Sequence, residues 1–204
     1  MANIYFHEGD LPSDVKFSDS VAVDTETMGL DIMRDRLCLV QLGDGRGNCH
    51  IVRFRKDEVS CPNLKALFED PKVLKIFQYA RFDLEVIKYR LGVTCSPVYC
   101  TKIASKIART NAEGHSLRAL CAQLLNVEIT KEQQLSDWGA ETLTEEQLAY
   151  AANDVCYLHA LKEKLDGLLE REGRAKYAWA CFAFLPSVAE LDLAGFHCEK
   201  LFSH

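Results

Sequence analysis

Apolar residues fall in short runs over the first half of the chain and at helical spacing over the second. The runs predict strands over residues 4–6, 21–23, 36–42 and 49–54, bounded by breakers. The glycine-rich stretch 43–48 turns the third run back on itself, so residues 21–54 read as an antiparallel meander. A helix is expected over 62–68, opened by Pro62, then a short buried strand over 73–77. An amphipathic helix over about 80–90 stops at Gly92, and residues 98–100 form one more strand. From Thr101 onward the pattern is helical throughout. Ile103, Ile107 and Ala108 mark one helix, and Leu117, Leu120, Leu124 and Leu125 a second. Thr144 and Gln147 form a capping-box pattern that opens a long helix through Leu148, Val155, Leu158, Leu161, Leu165 and Leu168. A last helix over 174–184 is expected to stop at Pro186. Strands first and crossing helices after them predict an α/β domain with a mixed sheet.

Composition narrows this little. At 204 residues and 48% hydrophobic, the chain fits a single domain over 1–204 with a sizeable core. The segment over about 186–204 is more apolar than a free tail needs. Its Val188, Leu191, Leu193 and Phe196, with Leu185 before it, are expected to cover the domain or to bury against a neighbouring copy. No run of eighteen apolar residues occurs, so no membrane span is expected, and the N-terminus has no signal-peptide pattern. The nine cysteines are scattered as singles with no CxxC pair, which predicts reduced thiols in a cytoplasmic protein. Net charge is −6 with no basic block, which argues against a long nucleic-acid track. A short piece held in a pocket is compatible with that charge.

Three acidic motifs carry candidate chemistry. Asp24 and Glu26 end the second apolar run, and side chains two apart on a strand share a face. Paired oxygen ligands of this kind suit a hard divalent ion such as Mg2+ or Mn2+, although two solvated acids at a strand tip would read the same. Asp83 sits in the first turn of a helix, where the helix dipole alone favours an acid. Tyr150 and Asp154 are four apart and share a helix face. Asn153 and Asp154 together disfavour a helix interior, which suggests a use for the pair.

The order Asp-x-Glu, Phe-Asp, then Tyr-x-x-x-Asp resembles the DEDD superfamily of 3′-to-5′ exonucleases in its tyrosine subgroup, and RNase D within it. Ser136-Asp137-Trp138 through Tyr150-Ala151-Ala152-Asn153-Asp154-Val155 is similar to that family's third motif. The resemblance implies an RNase H-like (DnaQ-like exonuclease) mixed β-sheet flanked by helices. It also implies phosphodiester hydrolysis with two divalent metal ions, Mg2+ or Mn2+, releasing nucleoside 5′-monophosphates. By the family pattern Asp24 bridges the ions, Glu26 and Asp154 complete one site, and Asp83 supports the other. Tyr150 would orient the attacking water together with Glu26. Thr25 and Met28 would cradle the terminal nucleotides, and Leu30 matches an apolar wedge between two bases. Gln78 and Tyr79, standing where His-Asn or His-Gly is more usual, are candidates for sugar or phosphate contacts. His115 and Arg118 are candidate phosphate ligands. Phe82 and Trp138 read as core. A lone nuclease domain of low charge resembles the nanoRNase C type, which implies dinucleotide and short-RNA substrates and a ring-shaped homo-oligomer, an octamer. Trimming of longer RNA ends, a DNA-directed exonuclease and a catalytically dead binding subunit are the rival readings.

Overall fold

The computed structural model describes residues 2–55, 60–129, 133 and 136–203. Among them six strands make one sheet in the order β1-β4-β3-β2-β5-β6. β2 (Ser20–Thr27), β3 (Leu37–Gly43) and β4 (Asn48–Arg53) form the expected antiparallel meander. β5 (Leu74–Phe77) and β6 (Val98–Cys100) extend it in parallel on the β2 side. β1 (Asn3–Glu8) lies on the far edge, parallel to β4. β3 is buried at every position, because strands and helices cover it on both edges and faces.

Helix α1 (Pro62–Glu69) leads into β5, and α2 (Ala80–Val86) leaves it. α2 relaxes into a π-type turn over Ile87–Leu91 that ends on Gly92, whose φ of 76° needs a residue without a Cβ. α3 (Thr101–Ala108) follows β6 directly, and α4 (Leu117–Leu120) also ends in a π-type turn, Cys121–Leu125. The π-type turns split two stretches that the sequence reads as continuous helices.

The expected long helix after Thr144 is two helices. α5 (Glu145–Cys156) breaks at Tyr157, where the backbone has φ −98° and ψ −9°, and α6 (Leu158–Arg171) follows. α5 crosses β2, β3 and β4, whereas α6 packs along α3 and β5. One straight rod could not bury both faces, so the chain turns between them.

α7 (Ala175–Leu193) runs through Pro186 rather than stopping there. The proline removes the hydrogen bond to the Phe182 carbonyl, a cost of about 3 kcal/mol in an isolated helix. Phe182, Leu185 and Ala189 are buried on either side of it and hold the helix together. α7 packs on α2 and β6. Arg81 of α2 donates to both carboxylate oxygens of Asp192 at 2.6 and 2.8 Å and to Glu199 of α8 (Cys198–Leu201) at 3.2 Å. Within the C-terminal segment Val188, Leu191 and Leu193 are half-buried and Phe196 is exposed. Among the described residues no helix is long and apolar enough to cross a membrane.

Candidate active site

Asp24 and Glu26 pair with Gln41 and Leu39 of β3, so both side chains leave the sheet on the same face. The register shifts between Glu26 and Thr27, which ends the ladder and turns the chain outward. Thr27 Oγ1 donates to the Gly29 carbonyl at 2.5 Å, fixing the turn that carries Met28 and Leu30. Thr25 points to the other face and donates to Asp83 Oδ1 at 2.7 Å. Helix α2 therefore reaches the end of β2 from the face opposite α5. α5 is started by the Thr144–Gln147 capping box and aims Tyr150 and Asp154 at the same point. Trp138 lies against Tyr150, ring centroids 6.0 Å apart.

Carboxylate oxygens of Asp24, Glu26 and Asp154 come within 4.8 Å of one another. Burial raises the Asp24 carboxyl toward neutral pH, opposed only by the Thr25 backbone. Glu26 is raised further, by burial first and then by Asp24, Asp154 and Asp83. Burial and the Asp24 charge raise Asp83, against the Thr25 hydroxyl. Burial and Asp24 also raise Asp154, against the Tyr150 hydroxyl. Burial and the same carboxylates push the Tyr150 phenol above its ordinary value. Among the described residues no ion pair involves any of the four acids. Four oxygen donors that oppose their own ionisation, in no ion pair among the described residues, fit hard divalent ions such as Mg2+. Asp24, Glu26 and Asp154 would hold such an ion, with Asp83 beside them.

The cluster lies in a cleft of about 700 Å³ that Thr25, Met28, Leu30, Gln78, Tyr79 and Arg118 also line. Leu30 stands at the cleft with 83% of its surface exposed, so it is not a core residue. Tyr79 precedes α2 in the left-handed region, φ 65° and ψ 47°, a strained conformation for a residue with a Cβ. The ammonium of Lys102 sits 3.8 Å from the centre of the Tyr79 ring. Gln78 has both amide ends engaged, donating to the His115 carbonyl at 2.9 Å and accepting from the Thr101 hydroxyl. His115 does not line the cleft; its Nδ1 pairs with Ser105 Oγ at 2.8 Å behind it. Phe82 and Trp138 pack as the sequence predicts, Trp138 buried against Tyr150 and Phe82 partly buried against the core, and each also presents an edge to the cleft. Lys102 was missed by sequence reasoning. It follows β6, the parallel neighbour of β5, and that adjacency was the signal available.

A mixed sheet that gathers four carboxylates and a tyrosine at the end of β2 is the fold and site of the metal-dependent 3′-5′ exonucleases of RNase H-like fold. The 3′-5′ exonuclease family model matches residues 5–170. Ribonuclease D of Acidiphilium cryptum is 35% identical over 155 residues, 76% of this chain and 39% of its own length. Another ribonuclease D, from Gluconacetobacter diazotrophicus, is matched over 42% of its length, so the chain spans about two fifths of these curated relatives. Brucella melitensis NrnC has a solved structure that is 48% identical, with TM-score 0.94, covering 99% of this chain and 98% of that one. NrnC has also been solved with bound Mg2+ and bound to pGG. This chain belongs to the 3′-5′ exonuclease family, alongside RNase D and the single-domain nanoRNase C type.

Proposed function

We propose that the chain hydrolyses very short RNA from the 3′ end, dinucleotides foremost, and releases nucleoside 5′-monophosphates. The observation that carries this reading is the cluster of four carboxylates, in no ion pair among the described residues, in a cleft of about 700 Å³ with an exposed leucine beside it. The pGG bound by Brucella NrnC, a relative matched over nearly its whole length, supports the same substrate class.

In this reading Asp24, Glu26, Asp83 and Asp154 hold two divalent ions. When bound, such ions supply the missing positive charge and the Lewis acidity that phosphodiester hydrolysis needs. Tyr150 keeps its proton at neutral pH, because a phenol ionises only near about 10 and burial raises it further. Its hydroxyl therefore orients the attacking water, together with Glu26, and does not act as a base. Leu30 wedges between the two bases, with Thr25 and Met28 beside it. Lys102 and Arg118 offer the cationic groups that line the cleft. Gln78, whose amide is engaged on both sides, shapes the wall between β5 and the His115 loop.

A homo-oligomer belongs to the same reading. α7 exposes Tyr177, Trp179 and Phe184, and Phe196 and Phe202 are exposed on either side of α8, apolar surface that a second copy would cover. Light scattering of Phe184→Ser/Phe202→Ser against wild type tests it, with a smaller particle expected.

The experiment for the substrate is a time course on a 5′-labelled dinucleotide, pentanucleotide and long single-stranded RNA, with the matching deoxydinucleotide. Fast cleavage of the RNA dinucleotide and slow trimming of the long RNA are expected. Efficient trimming of the long RNA that stalls at short remnants would overturn the substrate assignment.

A further inference from the structure

Gln41 occupies the middle of β3 and is fully buried. Neither its Nε2 nor its Oε1 has a hydrogen-bond partner among the described residues. A buried amide with both ends unpaired is costly, and strands normally fill such a position with an apolar residue. Gln41 is the direct cross-strand partner of Asp24. Opposed residues of an antiparallel pair project to the same face, with their Cβ atoms close enough for the side chains to touch.

Two further residues fix that face. Gly43, two along β3 from Gln41, would place a Cβ 3.2 Å from Val155 Cγ2, the residue after Asp154. Gln41 thus lies beneath α5, on the side from which Asp154 and Tyr150 enter the cleft. One turn before Val155 stands Ala151, fully buried and with no polar side chain to offer the amide. The strand partner on the other side, Ile51, offers none either. The ionisable group facing Gln41 across the β2–β3 ladder is Asp24.

We propose that Gln41 is a positioning residue for the metal centre, its amide bracing the Asp24 carboxylate from behind when divalent ions bind. Ordering of a ligand by an outer hydrogen-bond partner raises metal affinity, and removing such a partner costs about 10- to 100-fold. The inference rests on the reading of the cleft given above.

Gln41→Met, close to isosteric and apolar, separates this from a packing role. Apo melting temperature and Mn2+ binding by calorimetry, without substrate, are measured on the full chain. A melting temperature equal to or above wild type is expected, because the unpaired amide is gone. The Mn2+ dissociation constant is expected to rise about tenfold or more, and the metal needed for half-maximal dinucleotide cleavage to rise with it. Gln41→Asn, which keeps the amide but withdraws it by one methylene, should weaken Mn2+ in the same direction; it carries the test if the methionine variant does not fold. Unchanged Mn2+ affinity in a folded variant would overturn the inference, whatever the change in stability. A wild-type protein that takes up no Mn2+ would instead overturn the reading of the cleft, and this inference with it.

Discussion

Carboxylates that face one another without a cation resist ionisation, so replacing one relieves the rest. Asp154→Asn should therefore raise the melting temperature of the metal-free protein while lowering the hydrolysis rate at least about a hundredfold. Thermal melts in EDTA beside initial rates in Mg2+ check it, and a lower metal-free melting temperature would contradict the electrostatic account. Leu30 makes the opposite kind of contribution. Burying a leucine is worth about 1.5–3 kcal/mol, so Leu30→Ala should raise KM for a dinucleotide tenfold or more. Its exposure means stability should stay within about 0.5 kcal/mol. Four of the five candidate residues were legible from spacing, two apart on a strand for Asp24 and Glu26 and four apart on a helix for Tyr150 and Asp154, whereas Asp83 stood out only through the order of motifs that resembles the family. Lys102 was not legible, because its place at the cleft depends on which strands are neighbours. Gln41 was hidden for the same reason, since only the register sets it opposite Asp24.

Among the elements, the strands of the meander and the helix starts were readable from local signals, whereas the breaks were not. Leu148, Val155, Leu158 and Leu161 keep one period across Tyr157, so nothing local marks the turn between α5 and α6. Pro186 misled in the other direction, because its cost is a local rule and the burial of Phe182, Leu185 and Ala189 is not. Arg81 joins α2, the helix that bears Asp83, to α7 and α8. Glu85 is raised to about 7, by burial first and then by Asp192, with Arg81 opposing. Arg81→Ala leaves Glu85 and Asp192 facing each other and should cost about 1–3 kcal/mol in chemical denaturation. A loss confined to stability, with kcat and KM unchanged, would show that α2 holds Asp83 in place without the brace.

For the whole molecule, the raised carboxylates set a pH dependence whose sign is opposite to that of ordinary ion-paired acids. Asp24 ionises near 3.8 in an unfolded chain and near 7 in the metal-free fold, so the fold holds a proton that the unfolded chain has already released. Stability of the metal-free protein should consequently fall as pH rises between those values. Divalent ions bind the deprotonated form, so added Mg2+ should raise the melting temperature more near pH 8 than near pH 5. Equal stabilisation at both would contradict the assignment of the ligands. At this scale the net charge of −6 conceals Lys102 and Arg118, two cationic residues that line the cleft. Local fields at a site follow the fold, and a total charge does not contain them.

The most direct test of the central claim is the fate of a 5′-labelled RNA dinucleotide with wild-type protein in Mg2+, in EDTA, and with Asp24→Asn in Mg2+. Conversion to mononucleotide is expected in the first reaction, and none above background in the other two. Conversion that survives either chelation or Asp24→Asn would place the chemistry elsewhere in the molecule.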